Sequence, residues 1–257
     1  MKIRCFVILM SLFLFVSCGE KRTNPLIQNL DKSWTVTTDT LNIKMQVDVP
    51  SVIQADMYEN GLIPHPYKSN VEPQLLWIPQ HEWVYSLDFR AEDYILREDV
   101  IELVFEGLDT YADVWFNGEK IIHSDNMFRT YSYDVKDLIK ENNKIKIKFY
   151  PFDKERDSLI ETYRLRFPEK YAVMRKAAYQ NGWDWAPRYM NMGIWQPVYI
   201  KAWTRSTICS ASVITKDIHD DKADLFFEAC INADVEHNIS LQLFQEDEKI
   251  LDQNINL

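Results

Sequence analysis

Large apolar residues recur at every second position through Trp83-Val-Tyr-Ser-Leu-Asp-Phe89, the period of a half-buried strand. The same period runs through Lys144-Ile-Lys-Ile-Lys-Phe149, with the lysines on the solvent side. Val100–Phe105 is a denser apolar run, closed by Gly107. Ala112–Phe116 leads into Asn117-Gly118, a strong signal for a two-residue hairpin turn, and Glu119–Ile122 returns. Asn142-Asn143 suits a turn before the lysine strand. Trp195–Trp203 reads as a further strand, which Pro197 assigns to an edge or a bulge. Many short strands with few helices predict a mainly β fold, a β-sandwich or jelly roll over residues 28–204.

One region breaks this pattern. Leu159, Ile160, Tyr163 and Leu165 lie at helical spacing within Asp153–Phe167, Pro168 stops the run, and Tyr171–Ala178 resumes it. Long excursions between strands are uncommon and often functional. The cations here (Arg156, Arg164, Arg166, Arg175, Lys176) read most simply as a solvated face. Directly afterwards comes Trp183-Asp184-Trp185, with Gly182 before it and Pro187 shortly after. Two readings compete. One is a core tryptophan pair, with Asp184 satisfying local backbone N–H groups. The other is a sugar clamp, with indole faces stacked on C–H groups while the carboxylate accepts from hydroxyls. The motif alone slightly favours the core pair. Its place after the helical excursion shifts the balance to the sugar clamp.

After Trp203 a second β unit begins, with strands expected near 211–216, 223–232, 238–244 and 249–257. An immunoglobulin-like sandwich needs about seven strands and roughly 100 residues. Residues 205–257 are therefore expected to be an incomplete one, with the chain either the front part of a longer protein or a truncated gene product.

Composition narrows the chemistry. The 257 residues are 46% hydrophobic and 26% charged, a globular balance, and the net charge of −10 argues against a nucleic-acid partner. Eight Trp and thirteen Tyr against six Gly favour aromatic strands over glycine-rich phosphate loops, and no dinucleotide or P-loop motif occurs. The five histidines are scattered singly, so neither a metal nor a cofactor is expected. Lys2 and Arg4 precede the short apolar run Phe6–Val16. Ser17-Cys18-Gly19 then resembles a bacterial lipoprotein cleavage box. This implies a signal peptide over 1–17, lipid on Cys18 and a tether over 18–27. The protein would be an exported lipoprotein, anchored in the periplasm or at the outer membrane surface and touching membrane only through its lipid. Cys209 and Cys230 remain, either bridged or as buried thiols.

Several segments, taken in order, resemble the N-terminal half of family 2 glycoside hydrolases, the β-mannosidase branch in particular. They are Val47–Val52 with Gly61–Tyr67; Trp77-Ile78 and Trp83–Tyr85; Phe105–Gly118 with Asn126–Phe128; and Arg175–Ala177, Gly182–Arg188, Gly193–Trp195 and Pro197-Val198. The resemblance implies a galactose-binding-like jelly roll, then an immunoglobulin-like domain, then a (β/α)₈ barrel. It implies a retaining exo-β-mannosidase acting on β-mannoside oligosaccharides, with both catalytic glutamates on the barrel, so no catalytic residue is assigned within 1–257. Carried over to this chain, Asp184 would hydrogen-bond the sugar hydroxyls while Trp183 and Trp185 shape and stack the wall of the mannose subsite. Ala186 departs from the glycine usual after the second Trp. The competing readings are a carbohydrate-binding lipoprotein without catalysis and a non-functional truncated product.

Overall fold

The computed structural model describes residues 25–38, 40–68, 70–164, 166, 170–220, 222–233, 236, 238–245 and 247–256. The expected signal segment 1–17, Cys18 and Pro168 lie outside the described residues.

Two antiparallel sheets face each other. The larger has six strands in the order Ile43–Val47, Trp34–Thr38, Trp83–Arg90, Asn142–Phe149, Ala112–Phe116, Glu119–Ser124. The smaller has four, in the order Leu26–Asn29, Val198–Trp203, Val100–Phe105, Tyr131–Asp134. The fold is thus mainly β, a β-sandwich, as the alternation predicts. Trp83, Tyr85 and Leu87 point inward, as do Ile145, Ile147 and Phe149 on the neighbouring strand. Trp34, Phe105 and Phe116 complete a core whose largest side chains are fully buried. The intervening lysines face out, and Lys146 lies 5.5 Å from the ring centroid of its cross-strand neighbour Trp115. Asn117 and Gly118 both have positive φ, 51° and 93°, as a two-residue hairpin turn with the strands' own twist requires.

Three boundaries differ from the pattern. Leu26 and Ile27, expected in the tether, pair with Ala202 and Lys201. Asn142 and Asn143 belong to the strand, because the Asn143 side chain satisfies the Lys140 backbone while its own backbone stays in the ladder. Val198–Trp203 lies inside its sheet, not at an edge. Pro197 stands just before the strand, so its missing N–H costs no ladder bond, and its carbonyl accepts from the Glu106 N–H at 2.9 Å.

The short helix Ile53–Glu59 ties the sandwich to one end of the domain through Asp56. Its buried carboxylate accepts from the Ser51 hydroxyl and, at 3.0 Å, from the Tyr85 hydroxyl. Burial pushes Asp56 up to about 6, against the pull of those two hydrogen bonds. A carboxyl raised on folding adds stability that is complete below its unfolded pKa near 3.9 and is lost as pH rises through 6. Asp56→Asn keeps an acceptor for Ser51 and cannot ionise. Its melting temperature is expected to pull ahead of wild type between pH 4 and 7, by on the order of 3 kcal/mol in stability. Melting curves across that range check this, and a difference that does not vary with pH would refute it.

Beyond Trp203, Ser206–Ile218 pairs with Ala223–Ala233, and Asn238–Gln245 pairs with Glu248–Asn256. These are the four expected strands, the first three longer than predicted and the fourth shifted by one residue, forming two separate hairpins. Cys209 and Cys230 are free and exposed, not buried thiols, because this hairpin has no covering layer among the described residues.

Candidate functional site

The predicted excursion leaves the sandwich after Phe149 and returns at Val198. It opens with the helix Phe152–Tyr163, which Arg164 ends in the left-handed conformation (φ 50°). In place of a resumed helix, Lys170–Val173 and Ala178–Asn181 form single 3₁₀ turns. The chain then reverses sharply. The Trp183 N–H donates to the Ala186 carbonyl at 3.0 Å, and the Ala186 N–H donates back to Trp183 at 3.1 Å. This reciprocal pair closes a two-residue turn and leaves Asp184 and Trp185 at its tip. Gly182 is needed at the entry: its φ is +86°, and a Cβ would come within 3.2 Å of the Arg188 Cβ.

The tip settles where the tryptophans sit. Trp183 is 68% exposed and Trp185 84%, their rings edge-to-face with centroids 6.2 Å apart. The core-pair reading therefore fails. Two indoles left in water are costly unless something covers them. Among the described residues no group donates to the Asp184 carboxylate, so it does not serve local backbone either. Trp183, Asp184 and Trp185 share an open cleft of about 660 Å³ with Tyr67, Glu72 and Arg188. Arg188 donates to the Tyr171 hydroxyl and lies 4.9 Å from that ring's centroid. Arg156, on the helix, lies 5.0 Å from the same ring. Arg156 also pairs with Asp153 and Asp157, so it braces the site instead of facing solvent as the sequence suggested.

Lys176 departs further from the solvated-face expectation. Its side chain is 1% exposed and forms an ion pair with Asp109, also 1% exposed. Burial lowers the Lys176 pKa, and the Asp109 charge opposes that shift. The ammonium also donates to the Asn191 carbonyl at 2.6 Å. The other Asp109 oxygen accepts from Gln180 Nε2 at 3.0 Å, and Gln180 Oε1 accepts from the Asn191 N–H at 2.9 Å. Both limbs of the Trp183–Ala186 turn are thus tied to one buried carboxylate. Asp109 is itself held in a short ladder, Leu108–Asp109 with Gly193–Ile194. Met127 adds a clamp: its N–H donates to the Arg175 carbonyl, its sulfur accepts from the Ala177 N–H, and its carbonyl accepts from Trp195 Nε1. Nothing in the hydrophobic pattern marks Asp109, Lys176 or Gln180, because a lysine in a polar loop reads as exposed.

Residues 34–196 match the family model described as the glycosyl hydrolase 2 galactose-binding domain-like family. The chain belongs to that family. Within it, this chain is 29% identical over 188 residues to the beta-mannosidase of Mus musculus, covering 68% of this chain and 21% of the mouse protein. It is 32% identical over 182 residues to beta-mannosidase A of Emericella nidulans, covering 66% of this chain and 19% of that protein. Among solved structures, the beta-D-mannosidase of Dictyoglomus thermophilum superposes with a TM-score of 0.80 at 27% identity, over 90% of this chain and 29% of that one. The exo-chitosanase of Amycolatopsis orientalis shares the fold, with a TM-score of 0.65 at 21% identity. The sandwich of this chain is therefore a galactose-binding-like domain of family 2 glycoside hydrolases. It spans only a small part of the length of the relatives it matches.

Proposed function

We propose that this chain is the N-terminal part of a retaining exo-β-mannosidase that removes terminal β-D-mannose from the non-reducing ends of oligosaccharides. The observation that carries the reading is the turn tip, a carboxylate with no partner among the described residues, set between two exposed indoles in an open cleft. The similarity to beta-mannosidases supports it. On this reading Asp184 accepts hydrogen bonds from mannose hydroxyls, and Trp183 and Trp185 cover the apolar face of the ring and exclude water from it. Glu72 and Arg188 supply further polar groups along the same cleft. The chemistry belongs to two glutamates on a (β/α)₈ barrel that continues the chain. A retaining enzyme places such carboxylates about 5–5.5 Å apart, one as nucleophile and one as acid/base.

The test uses the full-length protein and residues 1–257 alone, each with an aryl β-mannoside and the matching β-galactoside. The full-length protein is expected to turn over the mannoside with marked preference and to release the β anomer first, as NMR would show. The 257-residue chain is expected to be inactive. Turnover by 1–257 alone would place catalysis within these residues. Mannoside binding without turnover by the full-length protein would favour a carbohydrate-binding protein instead.

A further inference from the structure

Behind the Trp183–Ala186 turn lies a second hollow of about 390 Å³, within the roughly 300–1,000 Å³ of small-ligand sites. Pro66, Tyr67, Ala186, Pro187 and Tyr189 line both this hollow and the open cleft, so the two adjoin. We infer that the hollow is a second glycan subsite, taking the sugar unit that follows the one held at Asp184. The inference rests on the mannosidase reading.

The lining is aromatic and organised. Tyr58 meets His65 edge-to-face at 5.0 Å, His65 meets Tyr67 at 6.2 Å, and Tyr67 meets Tyr189 at 5.6 Å. The Tyr189 hydroxyl donates to the Pro66 carbonyl, which joins the far wall to the loop that carries His65 and Tyr67. Tyr179 closes the hollow from the other side and is 70% exposed. Tyr58 and Tyr67 are exposed as well, and exposed phenol surface with hydroxyl rims matches the alternating C–H and O–H groups of a pyranose.

A polar anchor is also in place. Gln54 lies at 5% exposure in the wall shared by the hollow and a smaller cavity beside Phe152 and Arg188. Its Nε2 donates to the Met190 carbonyl at 2.8 Å, which fixes the orientation of the amide, and its Oε1 has no partner among the described residues. A buried acceptor left unpaired is costly unless a hydroxyl or a bridging water reaches it. Among the described residues no Asp, Glu, Lys or Arg lines this hollow, in contrast to the cleft with its Asp184, Glu72 and Arg188. A neutral, hydroxylated ligand fits this lining, and a phosphate or carboxylate does not.

Tyr58 and Tyr179 line the hollow and not the cleft, so they separate the two sites. The full-length protein, Tyr58→Ala and Tyr179→Ala are compared on β-1,4-mannobiose and on β-mannosyl fluoride, whose leaving group is a single atom. Each variant is expected to lose about tenfold in kcat/KM on mannobiose and to match wild type on the fluoride. Equal losses on both substrates, or none on mannobiose with either variant, would overturn the subsite while leaving the mannosidase reading standing. A wild-type protein that hydrolyses neither substrate would remove that reading and the subsite with it.

Discussion

Lys176→Met is expected to destabilise the galactose-binding-like domain by about 3–5 kcal/mol, because it leaves the Asp109 carboxylate buried without its counter-charge. Methionine fills nearly the same volume, so the loss reports the charge and its hydrogen bonds, not a cavity. The damage should concentrate where the brace acts. Asn191 loses the donor to its carbonyl, and Gln180 is left as the last side chain between Asp109 and the returning limb. Amides over 181–190 should therefore exchange with solvent faster than the sheet amides of Trp83–Arg90 and Asn142–Phe149. Removing both charges, as Lys176→Met with Asp109→Leu, is expected to recover much of the stability but not the loop's protection, since Gln180 then has nothing to hold. Denaturant unfolding followed by hydrogen exchange reads both quantities. A loss under about 1 kcal/mol for Lys176→Met, or a double variant no better than the single one, would mean the pair carries no such role.

The same residues show where sequence reading stops. The sandwich was legible because its core strands alternate: Trp83, Tyr85 and Leu87 go in while Lys144, Lys146 and Lys148 stay out. The Asn117-Gly118 turn was legible because its backbone demands residues tolerant of positive φ. Pro197 misled, because a proline argues for an edge only if it sits within the ladder, and here it sits one residue outside. The helical excursion was visible by period, but its cations were not separable. Arg164, Arg166 and Arg175 are exposed, whereas Lys176 is buried. One residue type therefore serves as surface or as brace, depending on a carboxylate 67 positions away in the chain. For the Trp-Asp-Trp motif the sequence offered a core pair or a clamp. Only the reciprocal bonds between Trp183 and Ala186, which project the tip into solvent, exclude the core. The hollow lined by Tyr58, His65 and Tyr179 left no trace in the pattern, because its residues come from three separated segments.

Asp184→Ala in the full-length protein is expected to lower kcat/KM on β-mannosides by about a hundredfold to ten-thousandfold. A carboxylate bound to two sugar hydroxyls supplies charged hydrogen bonds worth about 1.5–3 kcal/mol each. Each loss of 1.4 kcal/mol in transition-state stabilisation is about tenfold in rate. Folding should be untouched, because Asp184 sits at an exposed tip and braces nothing among the described residues. This contrast separates it from Lys176, whose replacement weakens fold and site together. Asp184→Asn keeps one acceptor and adds a donor, so it should fall between alanine and wild type. How each loss divides between kcat and KM tells when the contact is made. A change in KM alone means Asp184 holds the ground-state sugar, whereas an equal fall in kcat and kcat/KM means its bonds tighten only as the ring distorts toward the transition state. Replacing Trp185 with alanine at the same tip should preserve the mannoside-over-galactoside preference better than Asp184→Ala does, since an indole face reads ring shape while the carboxylate reads hydroxyl position. Unchanged mannoside kinetics in Asp184→Ala would remove the turn tip from the sugar site.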